Sequence, residues 1–205
     1  MLAKKKRNAA AFEQAAVEIA ALLDKAEQGE ITVAYLDEAG HSTIQPNRSC
    51  WTPRGEVHAI DASRGPRLNV IGALLSDGTL FTQKKWGSMT AEEFLVFVTE
   101  LVERVQPTLE KPLCAIIDNA SIHKAKAIQP GIDALKARGL MLYFLPAYSP
   151  ELNRIEILWR RIKYGWMRFQ CWTKETLEAE VTRVLDGFGQ EFQLAFRAKV
   201  SAETR

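Results

Sequence analysis

The chain has 205 residues, 47% of them hydrophobic and 25% charged, with a formal net charge of +2. That length carries one good core with appendages, and so small a net charge does not announce a polyanion-binding protein, so any nucleic-acid footprint must come from how the cations are placed. No run of about 18 apolar residues occurs and no apolar signal segment follows the basic N-terminus, so no helical membrane span is expected and the protein is predicted to stay in the cytoplasm. Cys50, Cys114 and Cys171 are an odd set without metal-ligand spacing, as expected of small apolar side chains in a reducing compartment.

In chain order, Lys4-Lys-Lys-Arg7 precedes Asn8, a helix cap, and an Ala-rich segment with Phe12, Ala16, Ile19, Leu23 and Ala26 at helical spacing, closed by Gly29. The basic cluster reads either as a solvated tail or as a phosphate contact, and residues 1–30 as a linker that packs on the core. Ile31-Thr-Val-Ala-Tyr-Leu-Asp37 is an apolar strand ending in an acid. Pro53-Arg54-Gly55 marks a turn after Trp51, and Asp77-Gly78 joins the strands 68–75 and 80–82 as a hairpin. Thr90 caps a helix to residue 106 with Phe94, Phe97, Val98, Leu101 and Val102 on one face, and Pro107 ends it. The rest alternates: strand 113–118, helix 123–137, strand 140–145, helix 153–168, and a last helix from Thr173 with Leu177, Val181, Val184, Leu185 and Phe188 as its core stripe. The predicted units are 1–30, a domain over 31–190, and a tail over 191–205.

The apolar run Leu113-Cys-Ala-Ile-Ile-Asp118 reads as a buried parallel strand that delivers its carboxylate to the sheet's C-terminal edge, where open α/β sheets place their chemistry. Turn-rich Pro146-Ala-Tyr-Ser-Pro150 then leads into a helix capped by Ser149 or by Asn153, with Glu156 near its N-terminus in either case. Taken singly, each acid has an ordinary reading: Asp37 as a strand end, Asp118 as a turn-former, Glu156 as a first-turn acid paired with Arg160. Taken together they form an oxygen-only donor set for hard cations such as Mg²⁺ or Mn²⁺. Glu38 is expected to face away from Asp37 by strand alternation, and Glu151 to lie outside the cluster.

Four ordered blocks, Asp37-Glu-Ala-Gly, Trp51-Thr-Pro-Arg-Gly55, Asp118-Asn-Ala-Ser-Ile-His123 and Pro146-Ala-Tyr-Ser-Pro-Glu-Leu-Asn-Arg-Ile-Glu156, resemble the catalytic half of mariner-superfamily transposases, in particular the bacterial insertion-sequence branch. The similarity runs over residues 31–188. Ala147 and Arg154 stand where the family commonly has prolines, which bears on loop stiffness more than on the carboxylates. The resemblance implies an α/β, ribonuclease-H-like mixed sheet, an antiparallel meander followed by β-α-β-α and flanked by helices, with Asp37, Asp118 and Glu156 as a catalytic, metal-binding Asp-Asp-Glu triad.

Two Mg²⁺ ions about 4 Å apart, with Mn²⁺ able to substitute, could then activate a water or a 3′-hydroxyl and stabilise the leaving oxygen of a phosphodiester. The implied function is DNA cleavage at transposon ends and strand transfer into target DNA, by a cut-and-paste pathway with TA target preference. The implied partners are DNA, a second copy of the chain bridging two ends, and a helix-turn-helix end-recognition portion encoded upstream, in a prokaryotic, nucleoid-associated setting. Asn119 is a candidate for holding the metal ligands, His123 and His41 for work beside the cleft, and Arg160 and Lys163, which follow Glu156 on one helix face, for DNA phosphate contact. A stand-alone ribonuclease-H-like nuclease and a catalytically silent DNA- or partner-binding descendant remain as alternatives.

Overall fold

The computed structural model describes residues 7–44, 53–56, 65–168 and 170–194; Trp51, Cys50 and the lysines of the N-terminal basic cluster lie outside them. Five strands form one sheet in the order β3-β2-β1-β4-β5: β1 (Thr32–Ser42), β2 (Arg67–Leu75), β3 (Leu80–Trp86), β4 (Leu113–Ile117) and β5 (Leu140–Phe144). β1, β2 and β3 pair antiparallel, whereas β4 and β5 add in parallel. This is the meander followed by β-α-β-α that the sequence predicts.

Helices cover both faces, so the central strands are apolar on both sides. α1 (Ala9–Glu27), α4 (Ile155–Arg161) and α5 (Lys174–Asp186) share one core with Val33, Tyr35, Ala39, Cys114 and Ile116. α2 (Ala91–Val105) and α3 (Gln129–Ala137) share the other with Ala34, Leu36, Ala115 and Ile117. β1 thus sends odd-numbered side chains to the α4 layer and even-numbered ones to the α2 layer, and β4 splits the same way with the parity reversed.

Local chemistry explains most helix starts. Asn8 accepts from the Ala11 amide at 3.1 Å, and Thr90 and Glu93 exchange the two bonds of a capping box. The segment expected as one helix over 123–137 is broken. Two 3₁₀ turns, Ser121–Lys124 and Lys126–Ile128, precede α3, because Ala125 is extended (ψ 132°) and Pro130 suits only the first helical turn. The helix expected over 153–168 is also split: α4 ends at Arg161 and continues as a π-helical turn, Ile162–Trp166. Neither Ser149 nor Asn153 caps α4 with its side chain. Asn153 is buried instead and donates from Nδ2 to the Leu36 carbonyl at 2.8 Å, tying the lead-in of α4 to β1.

The β1 strand also departs from expectation, since Asp37 lies in its middle rather than at its end. The chain beyond Asp37 stays paired to β2 as far as Ser42 opposite Arg67. It is the parallel ladder to β4 that ends early, at Tyr35 opposite Ile116. Phe192, in the predicted tail, is buried and packs its ring 5.3 Å from that of Trp166.

Candidate active site

Register brings the chain segments that carry Asp37 and Asp118 to the same edge of the sheet. Two residues beyond the last β1–β4 pair come Asp37, on β1 at a position whose parity faces the α4 layer, and Asp118, just past the end of β4. Opposite Asp37 on β2 stands Gly72, where a Cβ would lie 2.7 Å from the Trp159 ring and 3.1 Å from Ile155. The missing side chain lets α4 settle close to the sheet, and Glu156, at the start of α4, comes down onto Asp37. The charges of Asp37 and Glu156 act on one another across the cavity that both line. Asp37, Asp118, Glu156, Asn119, Tyr148 and Asn153 are among the residues lining one cavity of about 350 Å³.

The electrostatics are those of crowded carboxylates. Burial, then the charges of Glu156, Glu38 and Asp118, pushes the Asp37 carboxyl up to about 8. Glu156 is raised as well, chiefly by burial, with Lys163 pulling the other way. Asp118 is lowered, first by a hydrogen bond from His123, against burial, and further by the Ala120 amide, which donates to Oδ1 at 2.9 Å. His123 loses favour for its charged form through burial, but bonds to Asp118 and Glu38 outweigh that and lift it to about 9.

Excess negative charge on an oxygen-only donor set fits a hard divalent cation in chemistry. Among the described residues, however, no three His, Cys, Asp or Glu side chains stand close enough to form a ready-made cage. Asp118, which lines the same cavity, is held by His123 and by the Ala120 amide of its own turn.

The other predicted residues divide. Glu38 faces away from Asp37, as alternation requires, yet it is not idle: its Oε1 lies 3.2 Å from His123 Nε2. The sequence gives no signal of this link, because the partners are far apart in the chain. Glu151 lies in the 3₁₀ turn Pro150–Leu152 and pairs with Arg7 at 3.2 Å. Asn119 lines the cavity and accepts from Lys124 Nζ. Arg160 and Lys163 line an open groove of about 510 Å³ that shares Glu156 with the acid cavity. Burial and Arg67 lower Lys163, while Glu156 and Asp37 raise it. His41 does not join the acids. It is buried beside Lys163 in a smaller pocket, with Nε2 lacking a partner among the described residues, and burial, Lys163 and Arg67 lower it to about 3, which keeps it neutral. Arg54 is exposed in the turn at Pro53.

Tyr148 also lines the acid cavity, about half exposed, with a left-handed backbone (φ 59°) that non-glycine residues rarely adopt. Sequence reasoning passed over it as part of a turn.

No curated protein matches the chain at a significant level. Solved structures do. The Mos1 mariner paired-end complex with Mn superposes with a TM-score of 0.62 at 17% identity, over 88% of this chain and 56% of that one. The pre-cleavage Mos1 transpososome gives 0.60 at 16%, over 87% and 56%, and the Mos1 strand transfer complex 0.58 at 16%, over 87% and 55%. These likenesses establish the ribonuclease-H-like mixed α/β fold, and the chain spans little more than half the length of the proteins it matches. A sequence model described as DDE superfamily endonuclease matches residues 32–178, from the first residue of β1 into α5. That match holds all three converging acids and most of the chain, and the protein belongs to the DDE superfamily of endonucleases.

Proposed function

We propose that the chain is the catalytic part of a mariner-type DNA transposase, which cuts DNA at transposon ends and transfers the exposed 3′-hydroxyl into target DNA. The observation that carries this reading is the arrival of Asp37, Asp118 and Glu156 at one cavity within a DDE-family chain. The three carboxylates would hold the cation, Mg²⁺ or Mn²⁺ as in the Mos1 complexes with either metal, and two such ions would activate the attacking oxygen and stabilise the leaving one. Asp37 and Glu156, both raised by burial, would have to lose their protons on binding. Asn119 borders the cavity, and Arg160 and Lys163 continue from Glu156 along the open groove, where they would meet backbone phosphates. Two copies bridging a pair of ends, and a separate helix-turn-helix portion reading those ends, complete the proposal.

The test is a strand-transfer assay. A pre-cleaved duplex from the DNA flanking the chain's own coding region is offered with supercoiled plasmid in Mn²⁺, to the wild type and to Asp118→Asn. Joined products from the wild type alone are expected. Plasmid cleavage without joining would replace the transposase reading with that of a stand-alone nuclease, and equal activity in both proteins would remove Asp118 from the chemistry.

A further inference from the structure

The backbone ladder between β1 and β4 stops at Tyr35 and Ile116, so it does not fix the separation of Asp37 from Asp118. What spans the gap is a side chain. His123 is 2% exposed and lies against Phe94 of α2, with ring centroids 4.4 Å apart. It presents one ring nitrogen to each strand, Nε2 at 3.2 Å from Glu38 Oε1 and Nδ1 at 3.1 Å from Asp118 Oδ1. Glu38 is the chain neighbour of Asp37 on the opposite face of β1.

We propose that Glu38 and His123 form a positioning bridge that sets Asp118 relative to Asp37, and through that spacing the affinity of the acid cluster for a divalent cation. The proposal rests on the reading of Asp37, Asp118 and Glu156 as metal ligands. Three observations carry it. Asp118 stands past the end of β4 with its side chain 52% exposed, and its bond from Ala120 stays within its own turn; His123 is its tie to β1. A carboxylate on each nitrogen and an aromatic ring alongside leave the imidazole one orientation, which is how a residue behind a ligand fixes that ligand's direction. Finally, Glu38 brings a charge to a face that is otherwise apolar, with Ala34, Leu36 and Phe94 in its core. Filling that space would call for an aliphatic side chain, and a carboxylate there is tolerated because it has a partner.

The experiment is a calorimetric Mn²⁺ titration of the full chain with a short DNA duplex, run beside thermal unfolding. Glu38→Ala and His123→Phe, the second keeping an aromatic ring against Phe94, are expected to weaken Mn²⁺ binding about 10- to 100-fold. The double variant should bind no more weakly than His123→Phe alone, since both changes break one bridge. Glu38→Gln, whose amide oxygen still accepts from Nε2, should recover most of the affinity. If Glu38→Ala proves unfolded, Glu38→Leu, which suits the apolar face, takes its place. Unchanged Mn²⁺ affinity in the folded Glu38 variant, alongside loss in Asp118→Asn, would overturn the bridge and leave the ligand reading standing. Unchanged affinity in Asp118→Asn, or no Mn²⁺ bound by the wild type, would overturn the ligand reading and the bridge with it.

Discussion

A carboxyl group that holds its proton up to about pH 8, as Asp37 does through burial and the nearby Glu156 and Glu38, must release that proton before it can ligate a cation. Below that value the proton competes with the metal, and above it the competition ends. Mn²⁺ affinity is therefore expected to rise roughly tenfold between pH 6.5 and pH 8 and to level off above, as calorimetry at several pH values would show. A flat profile would mean that Asp37 is not a ligand. The acids themselves were legible in the sequence, because an apolar run ending in Asp is a local pattern. Their surroundings were not. The Glu38–His123 contact depends on how β1 and β4 are registered and on where the turn after β4 folds back, and neither is encoded in the spacing of neighbouring residues. His41 shows the same limit from the other side. It lies four residues beyond Asp37, as His123 lies five beyond Asp118, and only burial in a separate pocket distinguishes it.

At the scale of elements, the site depends on how closely α4 approaches the sheet, and Gly72 sets that distance. Gly72→Ala would push a methyl group to within 2.7 Å of the Trp159 ring. The expected cost is about 1–3 kcal/mol in urea unfolding, together with a loss of activity larger than the loss of folded protein, because Glu156 moves with α4. A second joint is the buried Glu180 of α5, its side chain 0% exposed, which takes Arg168 at 2.7 Å and Arg183 at 3.0 Å. The Arg183 bond, against burial, and then Arg168 hold its carboxyl down to about 2. Because the folded value is depressed, the stabilisation is fully present above the ordinary value of 4.5 and is lost as pH falls towards about 2. Glu180→Ala should cost about 1 kcal/mol at neutral pH, a modest figure because both arginines are substantially solvated and Arg183 keeps Glu191, and much less near pH 2. Helix existence and capping were largely legible, as the Asn8 and Thr90 caps illustrate. The run of β1 beyond Asp37 was not, since Glu38-Ala-Gly-His-Ser has weak strand character and is held extended by its pairing with β2.

For the whole molecule, a net charge of +2 means that the DNA contact proposed above would rest on the local stripe of Arg160 and Lys163 along the open groove. Arg160→Gln and Lys163→Gln should each lower the slope of log binding constant against log salt by about 1, measured by fluorescence anisotropy in Ca²⁺ to avoid turnover. A slope unchanged in both would place DNA on another surface. That stripe and the partly buried Trp166 sit on one helical run, in which α4 passes directly into the π-helical turn Ile162–Trp166 and ends at Met167. Such a turn holds one residue more than α-helical winding would, so it works as a phase shift of about 100°. Before the turn the direction is set by what Glu156 must face; at its last residue, by where Trp166 meets Phe188 and Phe192. Gly165, at which an added Cβ would touch nothing within 4 Å, is the natural residue to delete. Its removal would rewind the run to α-helical pitch and swing Trp166 about 100° relative to Glu156, so that both could no longer be correctly aimed. The extra residue lets one helix satisfy two partners whose directions are incommensurate.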